Sequence, residues 1–277
     1  MNRLEKVFDD LDDKGERAFV PFLVAGDPDP ATFTTLAKAI EPHADIIEFG
    51  IPYTDPIADG EVIQAADARA LASGTTFSKA CDLIAGIRIC TGKPIVVLTY
   101  ANVVGVGRRM EESLVAFENA GIDGLIIADV PSEEAVPYKA AIEQHGMFLI
   151  ALAAPTTTDE RLEAIAGQAR GFLYLVAVKG VTGARASLLE ETRATIQRAT
   201  RLLGTGKHVP ICVGFGISSP DHVREIVELG ASGAIVGSAI VDMIGKHLQD
   251  KELMIEKIKR FTSELKDATR KARMSKD

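Results

Sequence analysis

The amino-acid sequence predicts an α/β fold in which eight parallel strands alternate with helices and close into a barrel. Short apolar runs rich in β-branched residues recur along the 277-residue chain, and amphipathic helical segments separate them. Continuous apolar runs of this kind are typical of a parallel sheet that is buried on both faces. Most strand-to-strand intervals span roughly 23 to 27 residues, which is enough for one crossover helix and two short loops.

An open, doubly wound sheet is the competing prediction. That fold needs a GxGxxG fingerprint in the turn after its first strand. The corresponding turn here reads Ala25-Gly26-Asp27-Pro28 and does not match it. Closure of the eight strands into a barrel is therefore favoured.

The predicted elements follow one another in alternation along the chain. The predicted strands are Phe19–Val24, Ile46–Phe49, Ile95–Leu98, Leu125–Ala128, Phe148–Leu152, Phe172–Val176, Val209–Val213 and Ala234–Val236. The predicted helices between them are Ala31–Ile40, Phe77–Ile89, Met110–Ala120, Glu133–Gln144, Glu160–Ala166, Leu188–Leu203 and Asp221–Leu229.

Two apolar stripes extend this pattern at the ends of the chain. A helix before the first strand is predicted by residues at i, i+3, i+4 and i+7, namely Leu4, Val7, Phe8 and Leu11. A helix near the C-terminus is predicted by a similar stripe, Met254, Ile258, Phe261 and Leu265. Its basic residues are expected to form a solvated face: Lys257, Lys259, Arg260 and Lys266. Because no linker or low-complexity tract interrupts the pattern, residues 1–277 are expected to form a single barrel domain.

Composition and charge argue against several classes of function. The net charge is −8 and no basic stripe interleaved with aromatic residues is present, so a nucleic-acid partner is not expected. The N-terminal residues lack the layout of a signal peptide, and no apolar run approaches the ~20 residues that cross a bilayer. The three cysteines show no CxxC spacing and the five histidines show no metal-binding spacing. A cytoplasmic protein without a metal is therefore expected.

Loop lengths indicate where the active site lies. In a βα barrel, the loops at the C-terminal ends of the strands carry the catalytic residues. Two strand-to-strand intervals are longer than the others, and the excess points to the segments after Phe49 and after Val176.

Glu48 is a carboxylate within an apolar strand. Alternation places Ile46, Glu48 and Gly50 on one side of this strand, and Ile47 and Phe49 on the other. The outer side must pack under helices, which suits Ile47 and Phe49, so Glu48 is expected to point into the mouth of the barrel. Burial of an ionised carboxylate costs several kcal/mol unless it is paired or its pKa rises. No predicted strand offers an inward-facing Lys or Arg, which favours general acid–base catalysis over a structural ion pair.

Asp59 follows on the same loop, which is bounded by Pro52, Pro56 and Gly60. These residues restrict the backbone and give the loop a definite shape. An Asp before a Gly is by itself more often a turn residue than a catalytic one. The position of Asp59 beside Glu48 at the mouth nevertheless favours a catalytic role.

Small-residue turns follow the last three strands, in the segments AVKGVTGAR, GFGISSP and GSAIV. Glycines let backbone N–H groups approach a ligand closely, and the N-terminus of a following helix favours an anion. A phosphate held by the loops after strands seven and eight recurs in this barrel class. Three consecutive turns of this kind predict a phosphate site. Ser219 and Pro220 also form a favourable N-cap and first position for the next helix.

Apolar and aromatic residues complete the predicted mouth: Phe22, Leu98, Tyr100, Ile127, Tyr174 and Phe215. Each of these alone is more often a core residue. Combined with a phosphate site and two acids, they suggest a ligand that has a flat apolar part and a phosphorylated tail. Asp129, at the end of the fourth strand, is a third carboxylate at the mouth.

These segments resemble the signature segments of the tryptophan synthase α subunit: EFGIPYTDPIADG, LTYAN, ADVP, GVTG, GFGISSP and GSAIV. They occur in the family's order and extend over essentially the whole chain. The resemblance implies a TIM barrel with an extra N-terminal helix below the strands. It implies reversible retro-aldol cleavage of indole-3-glycerol phosphate to indole and glyceraldehyde 3-phosphate. It also implies that no cofactor acts in this subunit. The implied partner is a β subunit that carries pyridoxal phosphate and receives the indole through a tunnel. The two kinds of subunit are expected to assemble as an α2β2 heterotetramer.

The resemblance also implies roles for individual residues. Glu48 matches the acid–base glutamate and Asp59 matches the catalytic aspartate. The positions that line the family's indole and glyceryl pocket are matched by Phe22, Tyr100, Asp129, Tyr174 and Phe215. Thr182 matches the threonine of the lid loop that meets the catalytic aspartate. The phosphate cradle is matched by Gly183, Gly214, Gly216, Gly237 and Ser238. The contacts with the β subunit are matched by Pro52, Asp55, Asn102 and Pro131.

Departures from the family pattern concern the lid more than the chemistry. Thr54 stands where many members have Ser, and Ala177-Val178-Lys179 replaces a Ser-Arg-type sequence before Gly180. These changes bear on lid closure and on coupling to the β subunit. Two alternative functions stay open: a stand-alone lyase that needs no partner, and a non-catalytic activator of the β subunit. The presence of both predicted catalytic acids argues against the activator.

Overall fold

Parallel strands form the barrel that the sequence predicts. The computed structural model describes residues 2–176, 185–203, 209–214 and 216–271. Neighbouring strands follow the order β5-β4-β3-β2-β1-β9-β8-β7-β6, and all of their pairings are parallel. The strands are β1 (Ala18–Val24), β2 (Ile47–Gly50), β3 (Ile95–Thr99), β4 (Gly124–Ile127), β5 (Phe148–Leu149), β6 (Ala151–Ala153), β7 (Leu173–Val176), β8 (Ile211–Gly214) and β9 (Gly233–Val236).

The barrel closes through a strand that is broken in two. The sequence predicts a single strand over Phe148–Leu152, whereas the structure has β5 and β6 separated by Ile150. β5 pairs with β4, and β6 pairs with β7 on the opposite side of the break. The Ile150 N–H donates to the Leu125 carbonyl at 2.8 Å, so the chain itself joins the two edges. The nine observed strands therefore occupy eight positions around the ring.

Helices cover the outside of the barrel and one of its ends. None in the described ranges is long and apolar enough to cross a membrane. A 3₁₀ turn spans Glu41–His43. The helices are α1 (Arg3–Lys14), α2 (Pro30–Ile40), α3 (Glu61–Ala72), α4 (Phe77–Arg88), α5 (Ala101–Val104), α6 (Arg108–Asn119), α7 (Val136–Gln144), α8 (Asp159–Gln168), α9 (Arg185–Leu203), α10 (Pro220–Glu228), α11 (Ser238–Lys246) and α12 (Lys251–Lys271).

Three helices at the barrel mouth, α3, α5 and α11, are absent from the predicted pattern. The α3 segment, EVIQAADARALA, consists largely of strong helix formers, but its alanines make the apolar stripe weak. The α11 segment follows β9 directly without a connecting loop. The extra length between β2 and β3 is therefore partly helical.

Side-chain caps fix several helix starts, including the start of α10 that the sequence predicts. Ser219 accepts a hydrogen bond from the His222 N–H, and Pro220 occupies the first turn of α10, as predicted. At α1, Asn2 and Glu5 form a reciprocal capping box. Such caps satisfy backbone N–H groups that have no partner within the helix.

Helix α1 plugs the N-terminal end of the barrel, in agreement with the resemblance. Leu4 and Phe8 are buried among residues of the barrel interior, and the Phe8 and Phe172 rings are 6.0 Å apart. A Cβ at Gly124 would lie 3.0 Å from Leu4 Cδ1, so the absence of a side chain there lets α1 approach closely. This end of the barrel is therefore closed to solvent.

The strand residues alternate between two cores as predicted. Ile47 and Phe49 pack in the outer core between strands and helices, whereas Ile46 packs inside the barrel. Glu48 therefore points inward, on the side of Ile46 and Gly50. The outer core is the larger of the two and holds the helices to the strands.

The expectation of a solvated basic face on α12 is wrong at Lys266. Its side chain is 6% exposed, and its Nζ contacts Asp45 at 2.7 Å and Glu16 at 3.3 Å. Asp45 also accepts a hydrogen bond from the Phe19 N–H at 2.7 Å, at the start of β1. Lys266 lies one turn beyond Thr262, on the buried face of the helix. The lysine thus ties the last helix to the N-terminal end of the barrel.

Replacement of Lys266 tests this tie. Lys266→Ala is expected to lower the free energy of unfolding by about 3 kcal/mol, because it leaves the Asp45 carboxylate partly buried without its cation. Arg260→Ala on the same helix is the matched control, and we expect a change below about 0.5 kcal/mol because this guanidinium is exposed. Urea denaturation measures both values. Equal effects of the two substitutions would contradict a stabilising role for the buried ion pair of Lys266.

Candidate active site

A cavity lies inside the barrel at the C-terminal ends of the strands. It brings together residues that the sequence predicts at the mouth with several that it does not. The lining residues are Phe22, Glu48, Asp59, Ile63, Leu98, Tyr174, Gly216, Ile217, Ile235, Gly237 and Ser238. Two carboxyl groups, a largely apolar wall and small-residue turns therefore share one space.

Glu48 is the most buried acid of this cavity. The residue is 1% exposed, and its Oε2 atom has no hydrogen-bond partner among the residues that the structure describes. Burial, and then the nearby Asp59 carboxylate, raise the pKa of Glu48 to about 8. The side chain is therefore largely protonated at neutral pH.

Asp59 is held by the tyrosine that follows β3. The Tyr100 hydroxyl donates to Asp59 Oδ2 at 2.6 Å and accepts from the Ala58 N–H at 3.2 Å. Gln64 Nε2 donates to the Asp59 carbonyl at 2.7 Å and fixes the backbone at the same point. The pKa of Asp59 lies above its ordinary value, because burial raises it by more than the hydrogen bond from Tyr100 lowers it.

The two carboxyl groups therefore differ in their hydrogen bonding. Glu48 has no donor on Oε2 among the described residues and keeps its proton at neutral pH, while the hydrogen bond from Tyr100 favours the ionised form of Asp59 against the effect of burial. Environments that separate the pKa values of two neighbouring acids assign them different tasks. The arrangement can supply one proton donor and one fixed negative charge.

The wall opposite β2 is aromatic and closely packed. Tyr174 is buried inside the barrel, and burial, followed by the carboxyls of Glu48 and Asp59, raises the pKa of its hydroxyl. A Cβ at Gly214 would lie 2.3 Å from the Tyr174 hydroxyl oxygen, so only glycine leaves room for this ring. Phe22 is the register partner of Glu48 on β1 and flanks the acid directly.

The last two turns of the barrel contribute backbone rather than side chains. Gly216 has a φ of +74°, a conformation that glycine adopts readily, and it lines the cavity. Gly237 precedes α11 without a side-chain cap, and a Cβ there would approach Phe22 at 3.1 Å. Ser238 opens α11, so the N-terminus of this helix meets the cavity. An exposed helix N-terminus of this kind suits an anion.

Some predicted site residues lie elsewhere or outside the described ranges. Thr182, Gly183 and Phe215 fall outside the described residues. Asp129 is exposed and accepts a hydrogen bond from the Ala101 N–H at 2.7 Å, so here it supports the turn after β3. Tyr100 reaches the site through its hydroxyl, and Gly214 through its contact with Tyr174.

Sequence reasoning missed three isoleucines of the cavity wall. Ile63 belongs to α3, the helix whose apolar stripe is weak. Ile235 lies on β9, where strand alternation places it inside the barrel. Ile217 follows the glycine turn after β8. Alternation could have identified Ile235, whereas the other two depend on how the loops fold back over the mouth.

A groove beside α7 and α8 lies outside the barrel. Its acid, Glu133, forms an ion pair with Arg161 at 2.7 Å and is exposed. It therefore lacks the unpaired buried carboxyl that distinguishes the cavity in the barrel mouth.

The barrel and its mouth define an α/β-barrel enzyme with a carboxyl pair suited to proton transfer. The chain matches the family model described as tryptophan synthase alpha chain over residues 8–270. It is 43% identical to the tryptophan synthase alpha chain of Methanoregula boonei, with 97% of this chain and 98% of that one aligned. The corresponding protein of Methanocaldococcus jannaschii is 45% identical, over 90% and 86% of the two chains.

Solved structures agree with these sequence comparisons. Tryptophan synthase subunit alpha of Legionella pneumophila superimposes with a TM-score of 0.85 at 30% identity, over 98% and 99% of the chains. A chain from the tryptophan synthase α2β2 complex of Pyrococcus furiosus gives 0.81 at 35% identity, over 90% and 98%. The chain belongs to the tryptophan synthase alpha chain family. It is a carbon–carbon lyase of tryptophan biosynthesis, and its fold is the TIM barrel.

The pH dependence of stability tests the environment of Glu48. Its folded-state pKa lies above the ordinary value of 4.5, so between these two values the native protein keeps a proton that the unfolded chain releases. Native stability is therefore lost as the pH rises from about 4.5 to about 8. We expect Glu48→Gln to remove this loss. The free energy of unfolding of the variant minus that of the wild-type protein should therefore be larger at pH 8 than at pH 5, by on the order of 3 kcal/mol.

Urea denaturation of both proteins at the two pH values measures this difference. Glu61→Gln, which changes an exposed acid at the start of α3, is the matched control and should show no such dependence. A Glu48→Gln effect that is equal at the two pH values would show that the carboxyl ionises normally in the folded protein.

Proposed function

We propose that this chain cleaves indole-3-glycerol phosphate with Glu48 as the proton-transfer group and Asp59 as its electrostatic partner. The observation that carries the proposal is the buried carboxyl of Glu48, with Oε2 unpaired among the described residues, which shares a cavity with Asp59. Family membership supplies the reaction, and the geometry supports these residues as its agents.

The reaction needs two proton movements at one bond. Cleavage breaks the bond between indole C3 and the adjacent carbon of the glyceryl chain. A proton is added to C3, the hydroxyl on the adjacent carbon loses its proton, and that carbon becomes the aldehyde of glyceraldehyde 3-phosphate. The electrons of the broken bond return to the indole ring. Protons and charge therefore balance without any external reductant or oxidant.

A single carboxyl can serve both steps. Protonated Glu48 gives its proton to C3, and the carboxylate that results accepts the hydroxyl proton, which restores the starting state. The pKa of about 8 keeps the acid form populated at neutral pH. A group with an ordinary glutamate pKa would enter the reaction ionised and could not begin it.

Asp59 is proposed to stabilise the charge that develops on the ring. Protonation of C3 moves positive charge toward the indole nitrogen. A carboxylate that is already oriented in a partly buried site stabilises such charge without reorganising. The hydrogen bond from Tyr100 both orients Asp59 and favours its ionised form.

The remaining mouth residues are proposed to bind the two ends of the substrate. Phe22, Leu98 and Tyr174 offer apolar and aromatic surface for the indole ring. The phosphate is proposed to bind the turns after the last three strands, which include Gly183, Gly214, Gly216, Gly237 and Ser238. Tyr100, Asp129, Thr182 and Phe215 complete the proposed substrate contacts by resemblance to the family.

A β subunit is the proposed partner, as in the α2β2 complex of the Pyrococcus furiosus relative. The proposed contacts are Pro52, Asp55, Asn102 and Pro131, of which all but Pro52 are exposed. Pro52 is buried and would act by shaping the loop that displays Asp55. Pyridoxal phosphate belongs to the β subunit in this proposal, so no cofactor acts in this chain. A cytoplasmic location is part of the same proposal.

Indole release measures the proposed chemistry. Glu48→Gln should lower the rate at saturating substrate by at least about 100-fold, because proton transfer is lost. Asp59→Asn should lower it by about 100- to 1,000-fold through loss of charge stabilisation. The wild-type rate should fall above about pH 8, where Glu48 loses the proton that starts the reaction. Asp82→Asn, an exposed change on α4, is the control and should retain the wild-type rate.

The same assay, run with and without a β subunit and serine, separates the alternatives. Stimulation by the β subunit supports the synthase subunit, whereas an equal rate in both conditions supports a stand-alone lyase. A complete absence of release in every condition supports a non-catalytic activator. Wild-type rates in Glu48→Gln would overturn the role proposed for that residue.

A further inference from the structure

A series of contacts supports Asp59 from outside the substrate cavity. It begins at Asp67 on α3, which is 4% exposed and whose carboxyl faces the Tyr53 backbone N–H, an interaction that lowers the pKa of this acid. Arg69, two residues further along the helix, forms its bidentate ion pair with Asp27, at 2.7 and 2.9 Å. In the part of the chain that the structure describes, Asp67 makes no ion pair of its own.

Burial of Asp67 is unfavourable in itself. Burial, and then the carboxyls of Asp59 and Asp27, raise the pKa of Asp67 to about 8. A buried acid beside two other acids destabilises the fold. Its presence therefore suggests that the position serves another purpose. Perturbed carboxyls next to a cavity are often parts of a functional site.

Tyr53 connects this acid to the active-site tyrosine. Its ring stacks on the Tyr100 ring, with centroids 5.1 Å apart and planes inclined by 28°. Its hydroxyl accepts a hydrogen bond from Asn102 Nδ2 at 2.8 Å. The ring and the hydroxyl of Tyr53 are therefore both held by the segment that follows β3, through Tyr100 and Asn102.

The Tyr100 hydroxyl acts both as a donor and as an acceptor of hydrogen bonds. It donates to Asp59 Oδ2 at 2.6 Å and accepts from the Ala58 N–H at 3.2 Å. The direction of the O–H bond toward Asp59 therefore depends on where the ring lies. The ring lies against Tyr53 on its stacked face.

We propose that Tyr53 and Asp67 are positioning residues for Asp59: they fix the ring of Tyr100, and through its hydroxyl they fix the carboxylate. The inference rests on the role proposed for Asp59. Neither residue lines the cavity, so they act through Tyr100 rather than on the substrate. A displacement of a catalytic group by about 1 Å can cost about 100-fold in rate, so a modest shift of the ring is enough to matter.

Substitution of Tyr53 separates alignment from simple stability. Tyr53→Leu should lower kcat for indole release by about 10-fold and leave KM within about 2-fold, because the cavity wall is unchanged. Tyr53→Phe keeps the stack and should retain at least about half of kcat. Tyr138→Leu, which changes a half-buried tyrosine on α7 outside the mouth, is the matched control and should retain wild-type kcat.

The pH profile provides a second readout that a purely structural role would not move. The hydrogen bond from Tyr100 lowers the pKa of Asp59, so its misalignment should shift the acid limb of kcat/KM to higher pH. The titratable groups that face Asp59 are Glu48 on β2, Tyr100 after β3, Asp67 on α3 and Tyr174 on β7. Tyr53→Leu changes none of them, so a shifted limb reports alignment.

A pair of substitutions at Asp67 tests whether this acid positions Tyr53. Asp67→Asn keeps an oxygen that accepts from the Tyr53 N–H and should retain at least about half of kcat, whereas Asp67→Ala should behave like Tyr53→Leu. The inference is overturned if Tyr53→Leu retains wild-type kcat, or if its loss comes without a shift of the acid limb. Retained activity in Asp59→Asn would instead overturn the proposed function, so the two failures are distinguishable.

Discussion

The buried carboxyl of Glu48 is the constraint on which the account of this site depends. Within the described residues no donor reaches its Oε2 atom, and the neighbouring charge is the carboxylate of Asp59. Water would stabilise the ionised form of Glu48, and a paired lysine would stabilise it further. Glu48 is 1% exposed and forms no ion pair in the described part of the chain, so the proton stays on the acid at neutral pH. The buried acid lowers the stability of the fold at neutral pH, and it provides a group that can donate a proton.

The architecture around Glu48 maintains that constraint. Helix α1 closes the opposite end of the barrel, and Ile150 joins the two edges of the ring. Tyr174 fills the wall across from β2, where Gly214 makes room for its ring. Asp59, by contrast, lies on a loop and owes its orientation to Tyr100. One acid is therefore held by a strand, and the other by a hydrogen bond from Tyr100.

The strand pattern, the inward direction of Glu48 and the N-terminal helix followed from apolar periodicity, because burial on two faces leaves a clear signal in the sequence. The break at Ile150 left no such signal, since it depends on how the ring closes. Lys266 looked like a solvated lysine because charge pattern alone does not show that Asp45 lies opposite it. The contact between Asp67 and Tyr53 joins residues from a helix and a loop whose packing is set by the finished barrel.

Titration of the Glu48 side chain shows whether this acid keeps its proton at neutral pH. Carbon-13 NMR of protein labelled at the glutamate carboxyl carbon, with the Glu48 signal assigned from its absence in Glu48→Gln, follows ionisation of this single group. The account predicts a pKa of about 8 in the wild-type protein and a lower value in Asp59→Asn, where the neighbouring charge is removed. A pKa near the ordinary value of 4.5 would contradict it, because Glu48 would then be ionised before the reaction begins.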